Sequence, residues 1–290
     1  MSPTLTAALW MTGSIASFTA MAVAGREVSL DLDTFEIMLY RSLIGIFIVL
    51  SVTTATGTRS RIRAQKLGLH AVRNLAHFTG QNLWFYALTV IPLAQVFALE
   101  FTSPIWVMLL SPLVLKESLT RTRAFSAVLG FIGILIVARP SPETLSPGLF
   151  AAAGAAVSFA ATAVFTRRLT RTESIPSILF FLTVMQAVFG LVCAGIDGDI
   201  TLPAAESWPW VVLIAAAGLL AHFCLTTALS LAPATVVMPI DFARLPVIAL
   251  VGMLLYAEPL DPLVILGAAI IFCANYLNIW VETTQSVANK

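Results

Sequence analysis

Long, mostly apolar stretches follow one another along the chain, cut by short clusters of proline, glycine and charge. A helix needs about 20 such residues to cross the hydrocarbon core of a bilayer. The pattern therefore predicts an all-α integral membrane protein of ten transmembrane helices, over roughly 4–24, 34–55, 68–90, 93–115, 122–139, 147–166, 175–196, 208–231, 234–256 and 261–281. Pro92 and Pro233 mark two very tight connections, and the longest connection, Gly57 to Leu67, is polar and basic. The first apolar stretch begins at Leu5 with no basic segment before it, so it reads as a mature helix rather than a cleaved leader. No stretch is left over for a soluble domain.

Composition agrees with a lipid environment. The 290 residues are 59% hydrophobic and 11% charged, against about 25% charged in soluble domains. A net charge of +1 speaks against nucleic acid as a partner, which requires a concentrated basic face. Cys193, Cys224 and Cys273 are scattered through apolar stretches at no ligand spacing, so neither a disulfide framework nor a metal site is expected, and no cofactor is implied.

The basic residues orient the chain. Arg59, Arg61, Arg63, Lys66 and Arg73 fall around the second loop, Lys116, Arg121 and Arg123 around the fourth, and Arg167, Arg168 and Arg171 around the sixth. The opposite loops keep only Arg26 and Arg139. Cytoplasmic loops carry the Lys/Arg excess, so both termini are expected in the cytoplasm.

A repeat lies beneath this pattern. A shift of 141 sets Ala87-Leu88 on Ala228-Leu229 and runs ungapped to Glu117 on Glu258, with Pro92 on Pro233 and Glu100 on Asp241. A slightly shorter loop then sets Leu129-Gly130 on Leu266-Gly267. Two repeats of five helices are expected, over 1–140 and 141–290. Five is odd, so the second copy enters the membrane inverted, a common plan of secondary transporters with the site near the midplane.

The repeated wording is informative. One copy carries Pro92-Leu93-Ala94, Pro104, Glu117-Ser118-Leu119-Thr120, Leu129-Gly130 and Gly133; the other carries Pro233-Ala234, Pro246, Glu258-Pro259-Leu260 and Leu266-Gly267. Over essentially its whole length the chain resembles the drug/metabolite transporter superfamily, in particular the EamA-type ten-helix proteins. The resemblance implies a central cavity, with the fifth and tenth helices away from it. It also implies a secondary transporter of a small organic metabolite, an amino acid or a related amphiphilic or aromatic compound, working by alternating access in the bacterial inner membrane. Carriers for riboflavin or S-adenosylmethionine uptake are similar too. Ten helices can enclose a cavity in one chain, so a functional monomer is expected, with a proton as a candidate coupling ion.

Charges at bilayer depth require a partner or a function. Arg41, Glu100, Asp241 and Arg244 lie well inside the predicted spans. Glu100 is roughly 10 Å deep at 1.5 Å per helical residue, and its repeat mate Asp241 is about as deep from the other face. Two readings stand. Either Glu100 is neutralised by Arg41 and Asp241 by Arg244 three residues on, or one or both acids face the cavity and bind substrate or a proton. His77, Gln81 and Trp84 share a helix face, and the shift of 141 sets Gln81 on His222. This polar pair serves interhelical bonding or substrate contact, and imidazole titrates near neutral pH. Trp106 and Phe159 lie mid-span, where aromatic rings pack or stack on a substrate, whereas Trp208, Trp210 and Trp280 suit the membrane interface. No metalloprotease, nucleotide-binding or serine-hydrolase motif occurs. An intramembrane lipid-modifying enzyme and a channel are the rival classes.

Overall fold

The computed structural model describes residues 3–29, 31–115, 121–139, 145–196, 198–259 and 261–288. The motif residues Glu117, Ser118, Leu119, Thr120 and Leu260 lie outside them. Every described segment is helix, 3-10 turn or connection: α1 Pro3–Val28, α2 Thr34–Ala55, α3 Leu67–Val90, α4 Leu93–Glu100, α5 Ser103–Leu115, α6 Arg121–Ala138, α7 Pro147–Leu169, α8 Ile175–Ala194, α9 Trp208–Leu231, α10 Ala234–Val237, α11 Arg244–Tyr256 and α12 Pro262–Ala288. Among the described residues six spans are long and apolar enough to cross a membrane unaided, and Val247–Tyr256 and Pro262–Ala274 are shorter apolar helices.

The expected fourth and ninth helices are each broken rather than continuous. The first break is the pair Phe101-Thr102 between α4 and α5. The second is longer, a 3-10 segment over Met238–Ala243 between α10 and α11. Pro104 sits at the second position of α5, where its missing N–H costs no helical bond. Pro239 lies within the 3-10 segment. Glu100 ends α4 at the first break, and Asp241 lies within the second.

Local chemistry explains the helix starts. Asp33 accepts from Phe35 N and Glu36 N while the Glu36 carboxylate returns to Asp33 N, a complete capping box. Ser174, one repeat later, caps α8 with its hydroxyl, and Ser146 caps α7. Glu36 is thereby occupied with architecture; its second oxygen accepts from Thr201 N at 2.6 Å.

The halves interleave. α1 packs on α9 and its repeat counterpart α7 packs on α3; α2 packs on its own counterpart α8, and α6 on α12. The pairs run antiparallel. Near the start of α2, Glu36 holds Thr201 beyond the end of α8, while past the end of α2 Arg63 N donates to Ser177 near the start of α8. Arg139, after α6, pairs with Asp261 just before α12. Equivalent helices that lie side by side and antiparallel are related by a two-fold axis across the bundle, so the second half is inverted relative to the first.

Large apolar side chains such as Phe47, Leu113, Val192 and Leu254 are exposed on the bundle surface, whereas Arg41, Arg73, His77, Gln81, His222 and Arg244 are buried. Apolar outside and polar inside is the arrangement that lipid demands. Small residues set the close approaches. A Cβ added at Gly190 of α8 would stand 2.9 Å from Leu39 N of α2. Backbone cannot yield as a side chain can, so Gly190→Ala is expected to cost about 1–3 kcal/mol, the usual penalty of overpacking. Thermal unfolding of the purified variant reads this as a lowered midpoint, and an unchanged midpoint would contradict the packing.

Candidate functional site

A cavity lies in the middle of the bundle between the two halves. It is walled by α1, α3, α7 and α9 and by the two broken helices. The space open to the centre of a water molecule is about 60 Å³, inside about 670 Å³ free of atoms. One water requires about 10–15 Å³ by this measure, so the chamber in this conformation holds a few waters, and side chains must part to admit a metabolite.

The floor is an ion cluster. Arg244 Nη2 donates to Glu100 Oε1 at 2.6 Å and to Asp241 Oδ2 at 2.5 Å. Trp84 Nε1 donates to the other Glu100 oxygen at 2.7 Å. The Arg244 guanidinium also lies over the rings of Phe97 at 4.8 Å and Phe18 at 5.1 Å, which adds cation–π attraction in a dry setting. Asp241 Oδ1 and Arg244 Nε keep no hydrogen-bond partner. Both acids thus share one cation. The expected pairing of Glu100 with Arg41 does not occur: Arg41 Nη1 donates instead to Gln81 Oε1 at 2.5 Å. Its distance from Glu100 is set by how α2 docks on α3, which depth along a span does not report.

Above the floor the walls are aromatic and imidazole. His77 and His222 meet edge-on with ring centroids 4.6 Å apart, Phe159 lies 6.2 Å from His77, and Phe18 lies 5.5 Å from His222. None of the four imidazole nitrogens makes a hydrogen bond. Of the residues singled out in the sequence, His77, Gln81, Trp84, Glu100, Phe159, His222, Asp241 and Arg244 line this one cavity. Trp106 does not. Its Nε1 bonds Thr102 Oγ1 at 3.2 Å, and it packs against the apolar cluster that holds Met11, Ala160 and Val164. Mid-span position placed it at the right depth but not on the right face. Arg41 stands behind Gln81 rather than in the wall.

Sequence reading missed Arg73, Thr166 and Thr226, which line the cavity toward the end carrying the 170–174 turn. Arg73 was grouped with the basic loop. The signal was present, because Arg73, His77, Gln81 and Trp84 continue one helical stripe at spacings of four, four and three. Among the described residues, none of α6 or α12 lines the cavity.

The end of the bundle opposite the 170–174 turn is closed by a second network. Arg26 pairs with Glu258, whose other oxygen accepts from Leu93 N at 2.9 Å. The Arg26 guanidinium stacks 4.4 Å over Tyr256, whose hydroxyl donates to Glu27 at 2.9 Å. Ala257 sits in the left-handed region at φ 52°, turning the chain so that Glu258 folds back under α11. Gly252 leaves it room, since a Cβ there would stand 2.7 Å from Glu258 Oε2. The network ties the first broken helix to the second.

Two inverted helical halves around a central cavity, with discontinuous helices at its floor, define a membrane carrier. The profile of the EamA-like transporter family matches the chain twice, over residues 5–139 and 146–280. The chain belongs to that family, and it is a multi-pass transporter of small molecules, not an enzyme. It is 33% identical over 243 residues to a riboflavin transporter of Brucella anthropi, covering 82% of this chain and 85% of the relative. It is 29% identical to a riboflavin transporter of Vibrio cholerae, covering 97% and 95%. It is 26% identical to an S-adenosylmethionine uptake transporter of Rickettsia felis, covering 96% and 94%. A crystal structure at 18% identity superposes with a TM-score of 0.71 over 96% of this chain and 98% of the other, which supports the fold.

Proposed function

We propose that the protein carries a flat heteroaromatic metabolite of the riboflavin kind into the cell by alternating access. The observation that carries this reading is the cavity wall, where Phe18 and Phe159 flank two imidazoles and Trp84 stands at the floor of an apolar-walled chamber. Rings of this kind stack on planar solutes, and the kinship to riboflavin transporters points the same way. The relatives favour the riboflavin or S-adenosylmethionine reading over an amino acid. A second reading, S-adenosylmethionine, draws on the Rickettsia relatives and on the unpaired Asp241 Oδ1, which would meet a cationic group.

The mechanism follows from the two ends. The Arg26–Glu258 network holds one end shut while the cavity extends toward the other through Arg73, Thr166 and Thr226. The basic connection 59–66 and the 170–174 turn lie at that second end, where Lys66 N and Gln65 N both donate to Glu173. The Lys/Arg excess supports a cytoplasmic position for this end. The chain is then a monomer of the inner membrane with both termini cytoplasmic, in a conformation closed to the outside. Rocking of one half on the other would break the outer network and close the cytoplasmic end. A proton is a candidate coupling ion through the unpaired imidazoles.

Riboflavin flux into proteoliposomes tests the substrate. Saturable uptake is expected, and Phe159→Ala should weaken apparent affinity by roughly three- to tenfold, the worth of one aromatic stacking partner. Saturable S-adenosylmethionine uptake without riboflavin uptake would transfer the assignment to the second reading. Flux of neither would overturn the substrate class.

A further inference from the structure

The charges around the cavity do not balance. On the floor, Glu100 and Asp241 share Arg244, leaving one formal negative charge in excess. Arg41 and Arg73 bring two positive charges and have no carboxylate partner among the described residues. Arg41 is 6% exposed and Arg73 1% exposed. Arg41 bonds Gln81, while Arg73 bonds Thr166 Oγ1 at 3.1 Å and Asn74 Oδ1 at 2.8 Å, all neutral oxygens. The two guanidiniums lie within Coulombic range of each other and of both cavity histidines. Two buried like charges facing only neutral groups are costly, because removal from water is offset only by an opposite charge or by several strong hydrogen bonds. The imidazole nitrogens beside them are also unbonded.

We propose that this side of the cavity, between Arg73, His77 and His222 with Arg41 behind Gln81, is a binding site for an anionic oxygen group, a carboxylate or a phosphate. A monovalent anion there brings the whole cluster to neutrality. Guanidinium matches such groups because its planar fork donates two parallel bonds to two oxygens. Arg73 is the chief ligand; Arg41 acts through the field and by holding Gln81. The hydroxyl of Thr166 orients Arg73 by taking its Nε–H while Asn74 takes an Nη1–H, which leaves the Nη2 donors for an anion. The anion is either part of the carried molecule or a small companion ion. The inference rests on the same cavity being the transport site, and it does not depend on the carried molecule being a flavin.

The test measures binding of radiolabelled acetate and inorganic phosphate to the purified full-length protein in lipid nanodiscs. Saturable binding of at least one anion is expected. Arg73→Gln should weaken it about tenfold or more, since a hydrogen bond to a charged group contributes about 1.5–3 kcal/mol. Thr166→Val keeps the charge but frees its orientation and should weaken binding several-fold, which covers the case in which Arg73→Gln fails to assemble. Arg59→Gln, on the exposed connection after α2, should leave it unchanged. Displacement of the bound anion by flavin mononucleotide but not by riboflavin assigns the site to a group on the carried molecule; displacement by neither assigns it to a companion ion. No saturable binding of either anion, or equal binding by the Arg73→Gln and parent proteins, would overturn the proposal. Failure of riboflavin flux with anion binding intact would overturn the flavin reading alone.

Discussion

Replacing Arg244 by glutamine is expected to abolish transport and to lower stability more than any other single substitution in the cavity. Arg244 is buried and is the shared partner of Glu100 and Asp241. Its removal leaves two carboxylates close together in a water-poor chamber. Breaking a buried pair from one side costs about 3–5 kcal/mol, and here a repulsion between the survivors is added. The repeat explains why one cation serves two acids. The shift of 141 sets Arg244 on Ser103, whose hydroxyl bonds the carbonyl oxygens of Glu100 and Ala156 at 2.5 and 3.1 Å. The first half therefore supplies an acid without a cation, and α4 borrows the cation of α11, on which it packs. Glu100→Gln should be milder, because Asp241 still satisfies Arg244. Substrate flux and the thermal midpoint of both variants check this ordering. If Arg244→Gln transports and melts like the parent, the ion cluster plays neither role.

Cross-linking positions 26 and 258 is expected to stop flux almost completely. The experiment uses Arg26→Cys with Glu258→Cys in a chain whose Cys193, Cys224 and Cys273 are replaced by alanine, joined by a short methanethiosulfonate linker. The native pair joins α1 of the first half to the turn after α11 of the second, and Glu258 also caps Leu93 N at the start of α4. Any opening of this end must separate these groups. Flux below about one-tenth of the uncross-linked protein corresponds to more than 1.4 kcal/mol of bias against the open state, and it should return on reduction. Full flux with complete cross-linking would show that this end does not open there, and the alternating-access reading built on it would fall.

Much of this protein is legible in one dimension. Long apolar runs report lipid because no water-soluble fold hides so much surface. The shift of 141, read from Ala87-Leu88 onward, also carries α3 at Leu67–Val90 onto α9 at Trp208–Leu231 and α5 at Ser103–Leu115 onto α11 at Arg244–Tyr256. The stripe His77-Gln81-Trp84 was readable because helical spacing is local. Inversion followed from an odd number of helices per repeat and from the placement of charge.

What tertiary structure alone decided is which faces meet. Sequence depth pointed to Arg41 as the partner of Glu100; the packing of α4 on α11 chose Arg244. Trp106 and Trp84 looked alike as mid-span tryptophans, yet one bonds Glu100 at the cavity floor and the other bonds Thr102 in a separate cluster. Arg73 counted as a loop charge until α7 brought Thr166 against it. Where the broken helices unwind was also hidden, since proline removes a donor without saying whether the neighbouring backbone tightens into a 3-10 turn. Periodicity and spacing act within a helix, over a few residues, and so survive in the sequence. Ion-pair choice and cavity shape depend on rotations of one helix against another, and only the assembled bundle sets those.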